Sequence, residues 1–293
     1  MSKIFEALHR AENPIKQLAD IDDDGHDAKA AEGATKSVVT ASDPASEKAG
    51  PFNAQRVRIQ LEPNSPILPF DGADPRASAQ YRMIRTKVHQ DPRQPKILMV
   101  SSPMPSDGKT VSAINLSAAL ALQENVEVLL VDADFSRSSV AKLLGLRAVP
   151  GLGDVLHGSA TLSDALVRVD QLPNLYVIPA GKATINPAEL LASGRWMALC
   201  ELLRNHFRYT VLDAPPVGAI ADYELLQLSA DGVVLIVRPD HTNRHLCDIA
   251  FQTVPKAKQI GVIVNGAEEW FLSKTHNYYY YEGEDCSVSA FRK

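Results

Sequence analysis

Around residues 96–113 a buried-strand pattern passes into a helix through a loop suited to an anion, and few folds accommodate that junction. Ile97-Leu98-Met99-Val100 is apolar at every position. A strand without alternation is covered on both faces, which is the situation of a parallel sheet flanked by helices. The loop Ser101-Ser102-Pro103-Met104-Pro105-Ser106-Asp107-Gly108-Lys109-Thr110 follows, and a helical pattern then begins. A strand, a tight loop and a helix N-terminus aim backbone N–H groups and the helix dipole at an anion. Gly108 lets the backbone come close to phosphate, Lys109 can reach β- and γ-phosphates, and Thr110 supplies a hydroxyl for Mg²⁺. Ser106, Asp107 and Val111 complete the expected nucleotide cradle. The strict pattern G-x-x-x-x-G-K-[ST] fails at its first glycine, where Pro103 stands, so the loop is of a deviant Walker type.

The rest of the body repeats this alternation. Short apolar runs at Val126–Asp132, Leu175–Pro179, Tyr209–Asp213, Val233–Val237 and Ile260–Val264 read as further strands. Ala77–His89, Ala113–Leu122, Ala188–Arg204, Tyr223–Leu228 and Arg244–Val254 read as helices. Buried strands joined by helical crossovers predict one doubly wound α/β domain over residues 77–270 with a mostly parallel, P-loop NTPase-like sheet.

Two of these strands end in carboxylates. Val128-Leu129-Leu130-Val131 runs into Asp132-Ala133-Asp134, and Val211-Leu212 runs into Asp213-Ala214-Pro215-Pro216. Ligands of open α/β sheets bind at the carboxyl ends of the strands. Paired carboxylates there, beside a phosphate loop, suit Mg²⁺ handling or removal of a proton from an attacking group. Asp213 fits the acidic residue that holds Mg²⁺ through water.

Bulk properties exclude several classes. The formal charge of −5 and the absence of a basic stripe with interleaved aromatics give no reason to expect nucleic-acid binding. Three widely spaced cysteines, Cys200, Cys247 and Cys286, fit a reducing compartment and make neither a disulfide framework nor a Cys-ligated metal site. No apolar run has the roughly 18 residues needed to span a bilayer. A cytoplasmic chain is expected, with any membrane role supplied by a partner.

The ends differ from the body. Ile4, Phe5, Leu8 and Ala11 sit at helical spacing, so residues 1–19 are expected to hold a short amphipathic helix closed by Asn13-Pro14. Residues 20–76 read as a disordered linker followed by a Pro-rich segment. Residues 271–293 read as a flexible tail carrying four consecutive tyrosines, Tyr278, Tyr279, Tyr280 and Tyr281, ahead of Glu282, Glu284 and Asp285. Alternation in a strand would bury only every second one. A nucleotide site combined with a displayed run of phenols suggests a kinase and its own substrate in one chain.

From about Ala79 to Tyr281 the chain resembles the bacterial tyrosine kinases, the autokinases of capsule and exopolysaccharide production. The resemblance rests on the proline-bearing loop, Asp132-Ala133-Asp134, Lys142-Leu143-Leu144-Gly145-Leu146, Gly151-Leu152-Gly153-Asp154-Val155-Leu156, Pro179-Ala180-Gly181, Asn186-Pro187-Ala188-Glu189-Leu190-Leu191, Asp213-Ala214-Pro215-Pro216 and the tyrosine tail. It implies ATP and Mg²⁺ as cofactors, with Lys109 and Thr110 on the phosphates and metal. Asp132 is the implied base for the tyrosine hydroxyl, and Asp134 and Asp213 organise Mg²⁺. It further implies phosphorylation of Tyr278–Tyr281 in trans within a homo-oligomer. The implied partners are a membrane adaptor of the chain-length-determinant type, whose cytoplasmic tail activates the kinase at the inner face of the plasma membrane, and a cognate tyrosine phosphatase. Arg82 and Arg85 match the oligomerisation helix, but Ala79 replaces its usual glutamate. Ser106 stands where the loop usually has glycine, and Ser136 replaces the first arginine after the paired aspartates.

Two other readings stay open from sequence alone. A positioning ATPase of the partitioning type would share the fold, but such proteins carry a lysine where Met104 stands. A nucleotide-binding scaffold of the same pathway would bind ATP without labelling its tail.

Overall fold

The structure, a computed structural model, describes residues 53–62, 65–68, 74–146, 150–182, 186–218, 221–239 and 241–266. The amphipathic N-terminal segment, most of the linker and the tyrosine run lie outside the described residues. The described chain forms one eight-stranded sheet in the order β1-β4-β5-β3-β6-β2-β7-β8. Its strands are β1 (Gln55–Val57), β2 (Ile97–Ser101), β3 (Val128–Asp132), β4 (Val167–Val169), β5 (Leu175–Ile178), β6 (Tyr209–Asp213), β7 (Gly232–Val237) and β8 (Gln259–Val264). All neighbours run parallel except β4 and β5. The doubly wound, mostly parallel architecture expected from the sequence is the one present.

The helices are α1 (Pro75–His89), α2 (Lys109–Ala121), α3 (Val140–Leu143), α4 (Leu152–His157), α5 (Leu162–Ala165), α6 (Pro187–Leu191), α7 (Gly194–His206), α8 (Ala221–Ser229) and α9 (Arg244–Thr253). Each face of the sheet carries its own apolar core. One packs Leu129, Val131, Tyr176 and Leu212 against Trp196 and Tyr223. The other packs Leu98, Val100, Leu130 and Val211 against Ile114, Leu116 and Leu120 of α2. Successive residues of a strand thus enter opposite cores, which is why β2, β3 and β6 carry no polar alternation.

Three details depart from the sequence reading. The stretch Ala188–Arg204 is two helices rather than one. α6 ends at Leu191, Ser193 takes an extended conformation, and α7 starts at Gly194. β1 comes from within the stretch read as linker and pairs with β4, so the sheet takes in residues before the expected boundary at residue 77. β4 itself, Val-Arg-Val, was not anticipated.

α1 begins with local chemistry that the sequence spells out. The Asp74 carboxylate accepts from the Ala77 N–H at 3.0 Å, and Pro75 takes the first helical position. α2 begins differently. Its N-cap is Gly108, which has no side chain with which to cap it. The first N–H groups of a helix have no partner within it. Here they stand over the carboxyl edge of the sheet, beside Lys109.

Candidate nucleotide and phosphotransfer site

Strand register assembles the site. β3 and β6 are neighbours, with Asp132 paired opposite Asp213, and β6 pairs Asp213 with Val100 of β2. Residues about eighty positions apart therefore end side by side, next to the loop that leaves β2. Lys109 reaches into this cluster, with its Nζ 2.7 Å from Asp134 Oδ2 and 3.4 Å from Asp213 Oδ1. All four side chains are buried. Burial alone would lower the pKa of the Lys109 ammonium, but the charges of Asp213, Asp134 and Asp132 outweigh it and raise the pKa.

Asp132 is a strongly perturbed carboxylate. Burial and the charge of Asp213 push its pKa up to about 7, against the pull of the Val140 N–H, Lys109 and the Ser139 N–H. Its Oδ2 accepts from Ser139 and Val140 N–H groups at 3.1 Å each. Its Oδ1 is buried and accepts no hydrogen bond. An unpaired buried carboxylate oxygen is costly, and this one points to a group that arrives during function. Asp213 is raised chiefly by burial, against Lys109 and Thr110. Its Oδ2 is likewise buried without a hydrogen bond. Asp134 divides its work, since Oδ1 accepts from the Arg137 N–H at 3.0 Å while Oδ2 faces Lys109. Thr110 and Ser139 join their hydroxyls at 3.3 Å, linking the phosphate loop to the turn after β3. Asp222, at the start of α8, is buried, and its pKa is raised by burial and by the charge of Asp134.

The loop is held from behind by residues that sequence reasoning did not single out. Asp107 is fully buried, and its side chain turns away from the nucleotide cradle. Oδ2 accepts from the Met104 N–H at 2.9 Å, while Oδ1 takes the Thr242 hydroxyl at 2.7 Å and lies 2.9 Å from His241 Nδ1. Asn265, just past β8, donates from Nδ2 to the Asp107 carbonyl at 2.9 Å. A Cβ on Gly108 would lie 1.9 Å from that same Nδ2, and Gly108 has φ 96°, so only glycine fits there. Ser106 also adopts a left-handed backbone, at φ 70°. His241, Thr242 and Asn265 lie more than 130 residues from the loop, and no local motif marks them.

Of the remaining sequence candidates, Val111 lies half-buried in the first turn of α2. Arg82 is exposed on α1, whereas Arg85 donates to the Ala119 carbonyl at 3.2 Å, near the C-terminus of its own α2. Arg238 and Arg244 are exposed, and the loop between them packs Thr242 and His241 onto Asp107. Trp196 is a packing residue whose indole donates to Ser229 at 2.9 Å. Trp270 and Tyr278–Tyr281 lie outside the described residues.

With this geometry in place, comparison with known proteins decides the family. Residues 96–258, more than half of the chain, match an AAA domain. The tyrosine-protein kinase YwqD of Bacillus subtilis is 35% identical over 213 residues, covering 71% of this chain and 87% of its own. The chain belongs to the bacterial tyrosine-protein kinase family. The tyrosine-protein kinase ptk of Acinetobacter johnsonii is 32% identical over 219 residues, 74% of this chain. This chain spans only 29% of that relative's length. Among solved structures, the kinase domain of the Escherichia coli tyrosine kinase ETK superposes with a TM-score of 0.62 at 25% identity, covering 74% of this chain and 90% of that one. The VpsO kinase domain gives a TM-score of 0.59 at 27% identity, covering 68% of this chain and all of that one.

Proposed function

We propose that this tyrosine-kinase family member transfers the γ-phosphoryl group of ATP to tyrosine hydroxyls, first those of Tyr278–Tyr281 on a neighbouring copy. The observation that carries the reading is the Asp132 carboxylate, which keeps one buried oxygen unpaired at the strand end next to Asp213, the partner of Lys109. Phosphoryl transfer needs positioning and charge neutralisation more than covalent chemistry by the protein. The uncapped start of α2 and Lys109 receive the phosphates, and Asp132 Oδ1 accepts the proton of the attacking phenol. The carboxylates outnumber the one ammonium, and their oxygens suit a hard cation. Among the described residues no three metal-ligating side chains converge on one point. Mg²⁺ would therefore take one or two protein ligands from Thr110, Asp134 and Asp213, and otherwise phosphate oxygens. Its chemistry when bound is neutralisation of the charge on the transferred group.

No helix among the described residues is long and apolar enough to cross a membrane. The reading assigns a cytoplasmic chain, held at the inner face of the membrane by an adaptor whose cytoplasmic tail activates it. In this reading phosphates on adjacent tail tyrosines repel one another and Glu282, Glu284 and Asp285, which loosens a homo-oligomer and cycles exopolysaccharide assembly. A phosphomimetic tail that leaves oligomer size unchanged would count against that last step.

The test is mass spectrometry of the purified protein after incubation with Mg-ATP, with and without the adaptor's cytoplasmic tail. Lys109→Met and Asp132→Asn serve as controls. Phosphate on Tyr278–Tyr281 in the wild type alone supports the reading. A tail left bare while ATP still binds would point to a scaffold.

A further inference from the structure

β8 closes one side of the sheet, and among the described residues no strand pairs with its outer edge. The Asn265 N–H donates to the Val237 carbonyl at 2.8 Å. Backbone groups alternate sides along a strand, so those of Gly261 and Ile263 also face β7. The N–H and C=O groups of Val262 and Val264 therefore point out of the sheet. Proteins blunt such edges with charge, proline or shortness. β1, at the opposite side, is three residues long and carries Arg56. β8 is Gln-Ile-Gly-Val-Ile-Val, with neither charge nor proline. Lys258, just before it, is turned to α8, where its Nζ donates to the Gln227 and Leu228 carbonyls at 2.6 and 3.1 Å.

The side chains of this edge are open as well. Val262 and Val264 pair with Leu235 and Val237, and Leu235 shares a core with Ala250 of α9. Residues in register point to one face of a sheet. The two valines thus lie on the α9 side, 40% and 47% exposed. Ile249 and Phe251 of α9 are exposed too. On the other face, a Cβ on Gly261 would meet nothing within 4 Å.

We propose that this edge is covered by the chain's own Trp270-Phe271-Leu272, which returns from the end of β8 as an antiparallel ninth strand. The place where the described chain ends argues for that occupant. Gly266 follows β8 closely, and its φ of 67° breaks the extended run. Asn265-Gly266 is also a turn dipeptide. The run Trp270-Phe271-Leu272 stands between Glu268-Glu269 and Ser273-Lys274, bulky and apolar among polar neighbours. Four residues of chain span at most about 14 Å, so the run never leaves the neighbourhood of the edge. Such a short tether gives an effective concentration in the millimolar range, which a second copy would have to match by mass action. Alternation puts Trp270 and Leu272 on one face of the strand and Phe271 on the other. Trp270 and Leu272 cover Val262 and Val264, and Phe271 fills the space over Gly261. The inference stands apart from the kinase reading, but it changes the tail. With Leu272 held, the free tether before Tyr278 is half as long as one that starts at Gly266.

The test is residue-resolved amide hydrogen exchange of the full chain beside a Trp270→Ser/Leu272→Ser variant. Val262 and Val264 amides should exchange at least about tenfold slower in the unmodified chain, with Gly261 and Ile263 alike in both. That protection should not vary with protein concentration. Equal exchange of Val262 and Val264 in the two chains overturns the ninth strand. Protection that is lost on dilution overturns it too and assigns the edge to a second copy. Trp270 gives an independent readout, taken as the difference in fluorescence between the unmodified chain and Trp270→Phe. Its quenching by acrylamide should be far weaker in the native chain than in urea, and Val264→Lys should raise it. A Trp270 quenched as readily in the native chain as in urea sinks the proposal.

Discussion

Among the described residues, Lys109 is the cation paired with the buried Asp134 and Asp213, and two consequences follow for its replacement. Lys109→Met should abolish tail phosphorylation. It should also leave Asp134 and Asp213 buried without a counter-charge, a loss of about 3–5 kcal/mol when one partner of a buried pair is removed. Mg²⁺ should then raise the melting temperature of the variant more than that of the wild type, because a divalent cation can occupy the vacated charge. Equal Mg²⁺ shifts in thermal unfolding would mean that these carboxylates do not form a cation site. Ser106 offers a second residue-level expectation. A left-handed backbone costs a non-glycine residue roughly 1–2 kcal/mol, and glycine returns about 0.5–1 of that as unfolded-state entropy. Ser106→Gly should therefore stabilise the protein slightly, by about 0.5 kcal/mol. A fall in melting temperature would show that the serine side chain holds the loop.

At the scale of elements, the phosphate loop is a strap tied down by two others, the loop after β7 and the end of β8. Asp107 is the knot. Asp107→Ala leaves the Met104 N–H, the Thr242 hydroxyl and His241 without their acceptor, at a cost of about 1–3 kcal/mol. Urea unfolding should report that loss, and KM for ATP should rise with it. A variant with unchanged stability and KM would refute the strap. Legibility in the sequence divides along this line. β2, β3, β5, β6 and β7 could be read because each enters two cores and is apolar nearly throughout, and β8 because its run is apolar although Val262 and Val264 are exposed. Lys109, Thr110, Asp132, Asp134 and Asp213 could be read because strand ends and a loop before a helix are local patterns. β1 and β4 could not, since three-residue strands such as Val167–Val169 carry too short a pattern to separate from loop. The break between α6 and α7 was hidden because apolar spacing runs on through Ser193 and Gly194. Asp107 looked like a phosphate-loop residue because its real partners, His241, Thr242 and Asn265, arrive only through the order of β7, β2 and β8 in the sheet.

For the molecule as a whole, the sheet is broader than its central crossover pattern. β1 covers the outer edge of β4, and Val57, Ile59, Leu61 and Ile67 pack against the core on the α2 side. A chain starting at residue 77 loses that cover, whereas one starting at residue 53 keeps it. Burial of Ile67 and partial burial of Val57, Ile59 and Leu61, at about 25 cal/mol per Å², supports a difference of a few kcal/mol. The shorter chain should melt about 5–10 °C below the longer one. Coincident melting curves would place β1 outside the cooperative unit. The same breadth locates the C-terminal exit. β8 borders β7, β7 borders β2, and Asn265 holds the carbonyl of Asp107 one residue before the described chain ends at Gly266. Under the proposed function, the tyrosines that serve as substrate follow a residue that donates to the phosphate loop of their own copy. A neighbour that draws on those tyrosines would then pull on the hydrogen bond that shapes the donor's phosphate loop. Under that proposal, being a substrate and being ready to act as an enzyme are mechanically linked states of one chain.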